Sequence, residues 1–109
     1  MAYDENLAQR INSHLTGIPG LVEKKMFGGV GFMINGNMAC GVHASDLILR
    51  VDPDRYEQLL SQPHVRVFDM TGRPMKGWVL VAPGGYSSEE ELESWIQQGV
   101  TFALTLPPK

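Results

Sequence analysis

A disulfide framework is excluded at once, because the chain contains a single cysteine, Cys40. The same count rules out a four-cysteine zinc site, and a lone thiol fits a reducing compartment. Histidine is almost as scarce. His14, His43 and His64 are scattered, with no carboxylate at metal-ligand spacing, so neither a metal nor a cofactor is expected. No apolar run approaches the length of a bilayer crossing. The first ten residues, MAYDENLAQR, are acidic and polar where a secretory leader would be basic and then apolar. A cytoplasmic protein without a membrane partner is the expectation. Positive charge is also in deficit: nine Lys and Arg face twelve Asp and Glu, a formal net charge of −3. That balance gives no global attraction to nucleic acid. With no basic stripe, and no aromatics interleaved with arginine on a strand, direct nucleic-acid binding is not expected.

The 109 residues suit one domain spanning the whole chain, and 43% hydrophobic content is enough to bury a core. The stretch from Met26 to Val51 organises it. Val30, Phe32 and Ile34 alternate with Gly31, Met33 and Asn35, the period of two that a pleated strand imposes. Asn35-Gly36-Asn37 then predicts a tight hairpin, since Asn-Gly tolerates positive φ. Met38, Cys40 and Val42 alternate with Ala39, Gly41 and His43 on the return. Ala44-Ser45-Asp46 turns the chain once more into a strand bearing Leu47, Leu49 and Val51. Before this core, Leu21 to Met26 reads as a short strand or as the first half of a long bent one. Gly28-Gly29 would then be the bend or bulge.

Three helices frame these strands. Asp4 caps the first, whose Leu7, Ala8, Ile11 and Leu15 form one apolar stripe, and Gly17 suits its left-handed end. Asp52-Pro53 opens a short second helix holding Tyr56, Leu59 and Leu60, which must stop before Pro63. Val65 to Phe68 and Trp78 to Val81 read as strands on either side of a loop, Thr71 to Gly77. Ser88-Glu89-Glu90-Glu91 is a capping box for the third helix, striped by Leu92, Trp95, Ile96, Gly99, Val100 and Ala103. The expected fold is α+β in two layers, an antiparallel sheet with helices packed on one face, in the order α-β-β-β-α-β-β-α. The first and third helices should cover Val30, Phe32 and Ile34.

The opposite sheet face should then carry Met33, Ala39, Gly41, Ile48 and one face of Trp78 to Val81. So apolar a face suits a partner or a second copy of the chain. No catalytic constellation emerges. Cys40 and His43, three apart on one strand, point to opposite faces and cannot act together. The cluster Gly28, Gly29, Gly31 feeds a strand rather than a helix and has no Gly-Lys-Ser/Thr behind it, so it is no phosphate loop. Arg66, Arg73 and Lys76, with His64, Met70, Met75 and Trp78, concentrate cations and adaptable apolar surface in one region. Two functions follow: a non-enzymatic interaction module, expected as a homodimer through a sheet face or edge, or a domain binding an anionic ligand or performing an enzymatic step near Arg73, Lys76 and Gly28-Gly29. Candidate ligand- or partner-binding residues are Phe27, Gly28, Gly29, Arg73, Lys76 and Trp78, with no catalytic residue named.

Two stretches carry a resemblance: Met26-Phe27-Gly28-Gly29-Val30-Gly31-Phe32-Met33, and Thr71-Gly72-Arg73-Pro74-Met75-Lys76-Gly77-Trp78. With Leu47 to Val51 and the closing Trp95…Leu106-Pro107-Pro108-Lys109, they resemble the TfoX/Sxy N-terminal domain family over nearly the whole chain. The resemblance implies a secretion-chaperone-like α+β fold and a cytoplasmic, stand-alone domain of N-terminal type. It also implies a role akin to regulators of natural competence. Those proteins carry a further C-terminal helical domain and coactivate transcription with the cyclic-AMP receptor protein. The implied partner class is therefore transcription machinery or a cyclic-AMP receptor-type regulator.

Overall fold

The structure, a computed structural model, describes residues 3–26, 28–68 and 76–108, with only the backbone described at 26. A helix α1 (Glu5–Leu15) leads into four strands: β1 (Leu21–Met26), β2 (Gly29–Ile34), β3 (Asn37–His43) and β4 (Asp46–Arg50). A 3-10 turn (Pro53–Arg55) opens the short helix α2 (Tyr56–Leu60). Two more strands, β5 (Val65–Val67) and β6 (Trp78–Val81), precede the long helix α3 (Glu89–Leu104). The six strands form one antiparallel sheet ordered β1-β2-β3-β4-β6-β5. The α+β class and its helix-framed order are those expected, with four strands between α1 and α2 in place of three. Of the two readings of Leu21–Met26, the strand of its own is the one adopted: Met26 pairs with Gly29, so the chain reverses instead of bending. Gly28 supplies the positive φ of +72°.

Each turn has a local cause. Asn35 (φ 54°) and Gly36 (φ 85°) make the hairpin with both central residues left-handed, the combination that matches strand twist. Ala44 also sits at φ 53°, where its Cβ is strained; its carbonyl accepts from Asp4 N–H (2.8 Å), which ties the turn to the start of α1. Asp4 in turn caps α1 by accepting from Leu7 N–H (3.1 Å). The α3 capping box is complete: Ser88 Oγ accepts from Glu91 N–H and Glu91 Oε1 from Ser88 N–H, both at 3.1 Å. That backbone hydrogen bond, first among its partners, holds the Glu91 carboxyl below its usual pKa.

The core lies between the sheet and the helices. Leu7, Ile11 and Leu15 of α1 and Leu92, Ile96 and Val100 of α3 pack against Val30, Phe32, Ile34, Val42, Leu47 and Leu49. Trp95 joins them and donates its indole N–H to the Gly85 carbonyl (2.9 Å), which leaves no buried donor unpaired there. Glu89 accepts from Arg10 Nε (2.6 Å) and pairs with His14 Nε2 (2.9 Å), clasping the two helices at the surface.

One strand departs from simple alternation. Phe32 pairs with Cys40 but Met33 pairs with Met38, so Ala39 is an extra residue, a bulge. Ala39 therefore turns into the helix-covered core, and Met38 goes to the opposite face. This corrects the expectation of Ala39 outside and Met38 inside. The bulge also shapes the packing above it. A Cβ on Gly99 of α3 would lie 2.4 Å from the Ala39 carbonyl oxygen, so only glycine lets α3 settle onto this point.

Candidate functional site

Register assigns the outer face. Side chains directly opposite share a face, so the pairs Val22–Met33, Ile48–Leu80 and Arg50–Trp78 lie away from the helices, as do Gly31, Gly41 and Met38. Here Ile48, Phe68 and Leu80 form a second, smaller apolar cluster against which Met38 and Trp78 pack, half-buried. The Phe68 and Trp78 rings meet at 6.0 Å between centroids, tilted by 47°. Val22 at the margin is 56% exposed. Two glycines permit close strand contact. A Cβ on Gly29 would lie 2.0 Å from the Val42 carbonyl oxygen, and one on Gly41 2.4 Å from that of Val30.

Charge sits around this apolar strip, not within it. Arg50 lays its guanidinium 5.1 Å from the centroid of Trp78 and 5.7 Å from that of Phe102. Arg66 pairs with Asp46 across β6. Lys76 is exposed and precedes Gly77, whose carbonyl accepts from Val51 N–H (2.8 Å).

The structure distributes the sequence candidates over two ends of the sheet. Gly28 and Gly29 lie at the end near Val42 and His43. Trp78 and Lys76 lie at the other, beside Arg50 and Val51. Three strand spacings and three to four residues separate them, on the order of 20 Å. No small anion bridges that gap, so the two groups do not make one ligand site. Phe27 and Arg73 lie outside the described residues, as do Met70 and Met75. Met38, Phe68 and Arg50 belong to the outer face without having been singled out as candidates. Gly41 within a strand hinted at the irregularity that exports Met38. Phe102 lies 52 positions from Arg50, and no local pattern signals their contact.

Nucleophilic chemistry finds little support here. Cys40 is fully buried and its thiol pKa is pushed up by burial to about 12, so it is protonated and sealed at neutral pH. His43 faces the other way, as the offset of three predicts. Among the described residues, no group of three or more His, Cys, Asp and Glu side chains is placed to hold a metal ion. Two open grooves of about 490 and 560 Å³ flank α3, one against Leu59 and Phe102, the other against His64 and Trp95. Gln98 lines both, and its Oε1 is buried with no hydrogen-bond partner among the described residues. Among the described residues, no helix is long and apolar enough to cross a membrane.

Comparison with known proteins adds three findings. The sequence profile of the TfoX N-terminal domain matches residues 13–103. Among solved structures, a Deinococcus radiodurans protein, DR2400, described by its domain of unknown function DUF419, is similar. The TM-score is 0.70 at 20% identity, over 94% of this chain and 78% of that one. At that identity the likeness concerns the fold. No curated protein matches significantly.

Proposed function

The chain belongs to the TfoX N-terminal domain family, and from that premise we propose that it is a non-enzymatic protein-interaction module of a regulatory kind. It works as a homodimer and offers the outer sheet face to a protein partner. The observation carrying this reading is the second apolar cluster. A sheet face open to water normally alternates toward polar side chains, whereas this one carries buried Ile48, Phe68 and Leu80 and leaves half-buried Met33, Met38 and Trp78 and exposed Val22 at its surface. Methionines and aromatics ringed by charge are the composition of an adaptable contact surface. The family resemblance supplies the partner class: a cyclic-AMP receptor-type regulator or other transcription machinery.

The test uses the purified cyclic-AMP receptor-type regulator of the source cell and the immobilised domain. Saturable binding that Met33→Glu and Met38→Glu abolish, with melting temperatures near wild type, is the expected result. Binding that survives both substitutions removes the outer face from the proposal. No binding by the wild-type domain removes this partner.

A further inference from the structure

The sheet has two edges, and they are unequal. β5 offers three residues, β1 six. Among the described residues β1 pairs only with β2, so apart from Leu21 N–H, which donates to the Ile18 carbonyl, its outer row of backbone donors and acceptors is open to another strand. Glu23, Lys24 and Lys25 are exposed along it, as is Val22. Lysines on an edge ordinarily repel an incoming strand. Here the register decides whether the charges along β1 repel or attract.

We propose that two copies of this chain pair through β1, antiparallel and centred on Lys24, joining their sheets into one. The proposal rests on the interaction-module reading and names the dimer surface. A two-fold axis normal to the sheet keeps the helices of both copies on one face. Directly opposite side chains must share a face, so the two residue numbers of each pair sum to an even number. Full overlap of the six residues, 21 against 26, has an odd sum and is excluded. Two registers retain the next-longest overlap. Centred on Glu23, the strands place Glu23 against its own copy and Val22 against Lys24, with no opposite-charge pair. Centred on Lys24, they place each Glu23 opposite the second copy's Lys25, twice by symmetry, and only Lys24 meets its like. Lys24 has a long stem that carries its ammonium outward into water. Glu23 already accepts from Asn12 Nδ2 at 3.3 Å through Oε1, which leaves Oε2 for the lysine. Cross-strand pairs of opposite charge are stabilising and like pairs destabilising, so charge selects the second register.

Two experiments on the full chain test this. In the first, Lys24→Cys is oxidised gently and run on a non-reducing gel. Opposite residues of an antiparallel pair lie about 4.5–5.5 Å apart at Cα, within disulfide range, so a cross-linked dimer is expected. Cys40 is buried and does not compete, and Glu23→Cys is expected to cross-link far less. In the second, sedimentation equilibrium measures the dimer Kd. Lys25→Glu turns two attractive pairs repulsive and weakens dimerisation about 30-fold. The exchange Glu23→Lys/Lys25→Glu restores it, which a merely structural role of either residue would not do. A wild-type dimer indifferent to Lys25→Glu, or a Lys24→Cys variant that fails to cross-link, overturns the β1 register while leaving dimerisation intact. A monomeric wild type overturns dimerisation as well. Binding of the regulator through Met33 and Met38 is read separately and stands or falls on its own result.

Discussion

The two faces of one sheet differ in how their apolar residues are covered. On the inner face Phe32, Leu47 and Leu49 are sealed by two amphipathic helices with exposures near zero. On the outer face Ile48, Phe68 and Leu80 cluster with half-buried Met38 and Trp78, and exposed Val22 lies at the margin. The same strands supply both, through the alternation of a pleat. The inner face is sealed by helices, whereas the outer buries only Ile48, Phe68 and Leu80 and leaves Met33, Met38, Trp78 and Val22 in part to water, which is the surface the proposed contact role uses. Substitutions matched across the sheet should separate those roles.

The largest effect belongs inside. Trp95→Ala removes a buried ring and its hydrogen bond to Gly85, and should lower unfolding free energy by about 3–5 kcal/mol in urea titrations. Next comes Gly99→Ala, whose methyl would meet the Ala39 carbonyl at 2.4 Å and Leu49 Cδ1 at 2.9 Å. Overpacking there should cost about 1–3 kcal/mol by the same measurement. Loss of the α3 cap in Ser88→Ala should cost about 1 kcal/mol and lower the melting temperature by several degrees. Met33→Ala on the outer face should cost under about 1 kcal/mol, because the side chain is already partly in water, while weakening partner binding. A Met33→Ala variant as damaging as Trp95→Ala would end the distinction between the faces.

Titration sharpens the same contrast. Cys40 has its folded pKa raised by burial, from 9.0 to about 12. Its contribution to stability is thus complete below the unfolded value near 9 and declines as pH climbs from there toward 12. Cys40→Ala should therefore show a shallower loss of stability above pH 9, and the native thiol should resist a thiol reagent at pH 8 until denaturant is added. Glu89 behaves oppositely. Its hydrogen bonds, to His14 first and then Arg10, hold its carboxyl below the usual range. Whatever it contributes is present above the ordinary glutamate pKa and fades in acid as pH falls through the folded value, a small effect for so exposed a group.

Much of this was legible locally. Caps at Asp4, Asp52 and Ser88, the Asn35-Gly36 hairpin and the helix stripes each depend on residues within a few positions of one another. The structure shows each of them for that reason. Where local reading stopped short, distance along the chain was the cause. The bulge at Ala39 appears only when β3 is laid beside β2, and it reverses Ala39 and Met38. The candidate ligand residues Gly28 and Gly29 occupy one end of the sheet and Lys76 and Trp78 the other, a separation that neither motif reveals by itself. Arg66 finds Asp46 as its partner through β6, not a carboxylate nearby in sequence.

By itself the sequence determined most of the elements, their caps and turns, the two-layer α+β class and the inner-core residues other than Ala39. These follow from periodicity and from backbone chemistry acting over one or two turns. The tertiary structure alone decided strand order, the bulge and the make-up of the outer face. Among the described residues it also left β1 as the longer edge of the sheet. Those depend on which strands lie side by side and in what register, and a one-residue change of register exchanges every side chain between the faces.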